Sequence, residues 1–102
     1  MEIDVLKLKE DLENNKIKLI DVRESYELEI CHIEDSIHIP INQIPTSLGL
    51  LNINNEYAVI CHSGIRSLAV TEYLNKLNYN VKNVVGGIDD WAVRVDKTMK
   101  RY

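Results

Sequence analysis

Apolar positions switch between two spacings along this chain, and the switches outline its elements. Val5, Leu8 and Leu12 recur at helical spacing behind Asp4, a good N-cap residue, and "ENNK" ends the segment. "IKLID" then reads as a short buried strand, and "ESYELEI" allows about two helical turns. "SIHIP" alternates like a strand and is closed by Pro40. Pro45, Thr46 and Ser47 offer the start of a further helix, with Gly49 as a weak point inside it. "YAVIC" is the clearest strand. From about Arg66 the apolar residues Val70, Tyr73, Leu74 and Leu77 return to helical spacing. "VKNVV" is a last strand, Gly86-Gly87 a turn, and "IDDWAVRV" a final helix carrying Trp91.

Strands that alternate with helices predict an α/β domain, in which right-handed crossovers build a parallel sheet covered on both faces. Ligands of such sheets bind beyond the carboxyl ends of the strands. Asp21 and Cys61 each close a predicted strand, so both are expected at that edge.

The length of 102 residues fits one domain, residues 1–102, able to build a core without staples. A net charge of −4 gives no reason to expect nucleic acid or an anionic membrane as partner. Most acids lie in the first third, and Ser36 to Asn55 carry no formal charge, so an anionic substrate would need a local positive site. Polar residues interrupt every candidate membrane span, and "MEIDVLKLKE" lacks the basic-then-apolar pattern of a signal peptide. Two cysteines suit a reduced, cytoplasmic protein better than a disulfide framework.

The candidate chemistry is in "CHSGIRS". If Cys61 ends a strand and Arg66 opens a helix, the backbone between them must turn sharply, and Gly64 can take the positive φ required. The unpaired N–H groups of such a turn form an anion-binding nest, strengthened by the helix dipole. A thiol inside it ionises readily, with pKa values in such surroundings of about 3.5–7.5. Arg66, always charged and forked, can hold an oxyanion beside the sulfur. A cysteine alone is most often a small buried apolar residue; Gly64 and Arg66 at this spacing favour a nucleophile.

The same loop resembles the C-x-x-G-x-R-S motif of single-domain rhodaneses, the thiosulfate sulfurtransferases. "LIDVRESYEL", "CHIEDSIHIP" and "VVGGIDDWAV" are similar to three further segments of that family, in the same order and over nearly the whole chain. The resemblance implies a single rhodanese-like α/β domain with a mostly parallel sheet of about five strands and helices on both faces. It also implies sulfur transfer without a cofactor. Cys61 would take a sulfane sulfur from thiosulfate or a persulfide donor and pass it to a thiophilic acceptor, cyanide or a thiol. Arg66 would orient the donor, and His62, Ser63, Gly64, Ile65 and Ser67 would line the substrate site. Asp21 and Arg23 would support the loop. A sulfur-relay protein is a further expected partner. Where the family has glycine, glycine and alanine, this chain has Cys31, Asp35 and Ser36. Asp35 is better suited than most residues to a positive φ.

Two rival functions remain open at this level. Cysteine phosphatases and arsenate reductases also pair Cys with Arg across a loop, but theirs is one residue longer than the stretch His62 to Ile65. A rhodanese-like module that binds without catalysing typically loses the cysteine. Cys31 precedes a strand whereas Cys61 ends one, so the two are expected at opposite edges, with Cys31 structural. The dipeptides Cys31-His32 and Cys61-His62 lack zinc-ligand spacing, and no metal is expected. His32 and His38 read as structural, and Ser63 and Ser67 either face the sulfur or cap the helix.

Overall fold

Short apolar runs become five parallel strands in the computed structural model, which describes all residues from Met1 to Tyr102. The strands are β1 (Glu2–Ile3), β2 (Lys18–Asp21), β3 (Ile37–His38), β4 (Glu56–Ile60) and β5 (Asn80–Val84). Three helices connect strands, α1 (Val5–Glu13), α2 (Ser25–Ile30) and α3 (Ile65–Lys76), and α4 (Gly87–Arg94) follows β5. Asp4 caps α1 as expected, its Oδ1 accepting from Lys7 N at 2.9 Å. The spatial order is β1-β5-β4-β2-β3, and every pairing is parallel.

That order puts the topological switch between β2 and β4. From β2 the chain moves outward to β3, and from β4 it moves the other way to β5. The connections leaving these two neighbouring strands therefore diverge, and in open α/β sheets that divergence marks the usual ligand site. The register aligns Asp21 with Ile60, so Cys61 leaves β4 one residue beyond the end of β2.

Alternation along the strands divides the core in two. Leu19, Ala58, Ile60 and Val84 pack with Val5 and Leu8 of α1 and with Ile88 and Trp91 of α4. Ile20, Val59 and Val81 pack on the other face with Val70 and Leu74 of α3, and Cys61 belongs to this second cluster. The sheet is thus covered on both faces, as the alternation of elements predicts.

Three features depart from the sequence reading. The edge strand β1 is new; it is only two residues long, too short to show alternation. No α-helix starts at Pro45. Instead 3-10 turns span Ile41–Thr46 and Leu48–Leu50, with bonds such as Ser47 N to Ile44 O at 3.1 Å. Pro45 has no N–H to give to a helical ladder and Gly49 resists ordering, so only local turns survive. Cys31, finally, does not lie at the edge opposite Cys61. It caps the end of α2, its carbonyl accepts from Arg23 Nη2 at 2.8 Å, and it shares a small recess with His62. The helix α2 hangs from the carboxyl end of β2 and brings Cys31 back beside it. Asp35 does hold a positive φ, 65°, whereas Cys31 is extended at −164°.

The Gly86-Gly87 turn fastens α4 to the loop that follows Cys61. Ile88 N donates to Cys61 O at 2.9 Å, and Asp89 N donates to His62 O at 3.1 Å. A Cβ on Gly87, whose φ is +60°, would overlap the His62 carbonyl and come within 2.6 Å of the Cys61 oxygen. Gly87→Ala is expected to lose about 2 kcal/mol or more of unfolding free energy, from left-handed backbone strain and overpacking together. Denaturant titration measures it, and wild-type stability in the variant would contradict this packing.

Candidate active site

Cys61 directly follows β4, only 1% exposed, and the turn from His62 to Ser67 curls round its sulfur as a small bowl of backbone N–H groups. Because α4 takes the carbonyls of Cys61 and His62, the following peptide groups turn their N–H bonds inward. Gly64, in the left-handed region at φ 107°, caps α3 and completes the turn. Gly64 N donates to Sγ at 3.1 Å, Ser67 N does so at 3.3 Å, and the Ser67 hydroxyl lies 3.3 Å from the sulfur. Burial pushes the thiol up. The Ser67 hydroxyl, when it donates to the sulfur, and the N–H groups of Ser67, Gly64 and Ser63 pull it down, and the net direction is down. Ser67 is fully buried, Ser63 is exposed, and Ile65 stands out from the first turn of α3.

Asn83 of β5 closes the bowl from behind. Its Oδ1 accepts from Ser67 Oγ at 2.5 Å, and its Nδ2 donates to Gly64 O at 3.2 Å. Arg66 leans across the mouth toward α2. Its Nη1 and Nη2 donate to Glu27 Oε2 and Oε1 at 2.7 and 2.8 Å, a bidentate pair. The Glu27 carboxylate also accepts from Tyr102 Oη at 2.9 Å and from Glu24 N at 2.9 Å. Arg66 is the main reason its pKa falls, to about 2.

Asp21 and Arg23 form a wholly buried ion pair next to this one. Arg23 Nε and Nη2 donate to the two carboxylate oxygens at 3.0 and 2.8 Å. The remaining guanidinium donors reach Glu27 O, Cys31 O and Tyr102 Oη, so the buried charge is fully hydrogen-bonded. His38 Nε2 lies 2.7 Å from Arg23 O, and His32 Nδ1 lies 3.2 Å from Leu28 O. The Tyr102 ring stacks on His62 with centroids 4.1 Å apart. Burial and the Glu27 carboxylate raise its phenol to about 12.

Of the loop residues expected at the site, Gly64 and Ser67 meet the Cys61 sulfur directly. His62 instead stacks on Tyr102, Arg66 pairs with Glu27, and Ser63 and Ile65 face outward. Asp21 and Arg23 lie beside the Arg66–Glu27 pair. Three partners were not anticipated. Glu27 carried a local signal, since Glu24 and Glu27 have the spacing of a helix-capping pair. Asn83 is a polar residue inside an apolar strand, which alone could have marked it. Tyr102 lies far along the chain from the residues it touches, and nothing local identifies it.

Comparison with known proteins follows the same outline. The model of the rhodanese-like domain matches residues 4–94. The Bacillus subtilis (strain 168) protein named "Putative sulfurtransferase YtwF" is 38% identical over 91 residues, covering 88% of each chain. "Putative sulfur carrier protein YrkF" of the same organism is 36% identical over 84 residues, 81% of this chain and 45% of that longer protein. A crystal structure of a rhodanese-related protein from Thermoplasma volcanium superposes with a TM-score of 0.87 at 36% identity, covering 92% of both chains.

The Arg66–Glu27 pair has a pH signature. Glu27 is depressed to about 2 from an ordinary 4.5, so its contribution is present above pH 4.5 and lost as pH falls toward 2. Glu27→Gln is therefore expected to be less stable than wild type at neutral pH, with the gap in melting temperature narrowing through that acid range. A gap independent of pH would contradict the ionic role.

Proposed function

The chain belongs to the rhodanese-like domain family, a family of sulfurtransferases and sulfur carriers, and from that premise we propose that it carries a sulfane sulfur as a persulfide on Cys61. One observation carries this reading. Cys61 Sγ receives N–H groups from Gly64 and Ser67 at the amino end of α3, a cradle for one anionic sulfur and its successor.

In the proposed cycle the Cys61 thiolate attacks the outer sulfur of a sulfane donor, thiosulfate or a protein persulfide. The new S–S bond forms as the donor's S–S bond breaks, and sulfite or a thiolate leaves with the electron pair. A thiophile then attacks the terminal sulfur, takes it away, and restores the Cys61 thiolate. Loop N–H groups hold the negative charge in both halves without moving. The bidentate pair with Glu27 leaves Arg66 with its Nε and two outer Nη hydrogens free to meet a donor's oxyanion. The name of the YrkF relative supports a sulfur-relay protein as donor or acceptor. Two free cysteines suit a reducing compartment, and the cytoplasm is the proposed setting. Asp21 and Arg23 stay out of the chemistry and hold the loop's flank.

Steady-state transfer from thiosulfate to cyanide tests the reading. Cys61→Ala is expected to abolish turnover while keeping its fold. Arg66→Ala is expected to raise the KM for thiosulfate about tenfold, ~1.4 kcal/mol of lost donor binding, with the cyanide half-reaction unchanged. Full turnover by Cys61→Ala would refute the nucleophile, and an unchanged KM in Arg66→Ala would remove the clamp.

A further inference from the structure

The hydrogen bonds behind Cys61 contain a conflict that the loop alone does not explain. The Ser67 hydroxyl has a single proton and two neighbours that can use it: Cys61 Sγ at 3.3 Å and Asn83 Oδ1 at 2.5 Å. The orientation of the Asn83 amide follows from its other contact. Nδ2 donates to the Gly64 carbonyl at 3.2 Å, so Oδ1 must be the atom facing Ser67. An acceptor that close holds the proton of Ser67, and the hydroxyl then turns lone pairs toward the sulfur.

With the proton there, a neutral Cys61 is fully satisfied. Its S–H donates to Ser67 Oγ, while its lone pairs accept from Gly64 N and Ser67 N. Ionisation breaks the arrangement. A thiolate has no proton to give, and it faces oxygen lone pairs unless the hydroxyl swings round to donate to it. That swing takes from Asn83 Oδ1 its one donor, in a residue that is only 5% exposed. We propose that Asn83 is a positioning residue that opposes ionisation of Cys61, by holding the hydroxyl proton that the thiolate needs from Ser67. The inference deepens the persulfide reading and rests on Cys61 being the nucleophile. Ionisation itself sends one proton to water and changes no other covalent bond.

The charged groups nearby leave Asn83 as the adjustable contact. Arg66 of α3 is paired with Glu27 of α2, beneath Tyr102. Asp21 and Arg23, after β2, neutralise one another. Lys82 of β5 is paired with Glu56 of β4, Asp89 of α4 with Arg101, and Asp90 of α4 with Arg94. His62 is stacked on Tyr102. Asn83 is the polar side chain that β5 contributes to the bowl.

The test reads ionisation directly and needs no sulfur donor. Alkylation of Cys61 by a small haloacetamide is followed across pH by peptide mass, in wild type, Asn83→Leu, Ser67→Ala and the double variant. Asn83→Leu frees the hydroxyl, so the midpoint is expected about one pH unit lower than wild type. Below both midpoints that is about tenfold more thiolate and a correspondingly faster reaction. In the Ser67→Ala background the same substitution is expected to shift nothing, because no proton is left to compete for. An unchanged or higher midpoint in folded Asn83→Leu would overturn the proposal. An equal shift in both backgrounds would do the same, since Asn83 would then act through packing. If Asn83→Leu does not fold, Asn83→Ala is read identically. A chain that fails to accept sulfur while showing the shift would refute the persulfide reading and leave this inference standing.

Discussion

Two carbonyl groups decide how the loop after Cys61 is built. Those of Cys61 and His62 accept hydrogen bonds from Ile88 and Asp89, at the amino end of α4. With the oxygens committed outward, the next peptide groups present N–H bonds to the sulfur. The constraint needs α4 to approach the loop backbone more closely than any Cβ would allow, and so it needs Gly87. An anion nest on one element is therefore set by a glycine on another, and both sit where β4 and β5 end side by side. This is the general advantage of an open α/β sheet: strand ends hold loops at fixed spacing while the loops carry the chemistry.

Around the nest the charges are tethered in pairs. Asp21 with Arg23 is sealed in the interior, and Glu27 with Arg66 lies at its margin. Arg23 and Tyr102 join the two, since Arg23 reaches the Glu27 carbonyl and Tyr102 reaches both pairs. Removing one member of a buried pair leaves an uncompensated charge, a cost of about 3–5 kcal/mol, so such groups act as fixed supports. A cation that stays partly exposed and keeps spare donors, as Arg66 does, remains available to an incoming anion. The whole-molecule charge of −4 then matters little beside this local arrangement.

Much of this was legible in the sequence, for identifiable reasons. Strands such as "YAVIC" and helices such as that carrying Val70 and Leu74 are read from periodicity, and the structure places them as expected. The loop "CHSGIRS" announces its turn through Gly64, whose positive φ the backbone requires, whereas the side chain of Arg66 is placed by Glu27, 39 positions away. What was hidden depends on contacts distant in sequence. Tyr102 meets Glu27 across 75 positions, and Asn83 meets Ser67 across 16. Strand order alone puts Cys31 at the far edge, whereas α2 brings it back beside the carboxyl end of β2. Pro45 suits a helix start, but local 3-10 turns prevail because nothing beyond it sustains a ladder.

The central claim is that one sulfur atom rests on Cys61 between two half-reactions. Intact mass of the protein, taken after exposure to a sulfane donor without reductant and beside Cys61→Ala, tests that claim most directly. A gain of about 32 Da on the wild type alone, reversed by cyanide with release of thiocyanate, is the predicted result. A folded wild type that gains no mass from thiosulfate or from a protein persulfide, or a Cys61→Ala protein that gains it equally, would contradict the account.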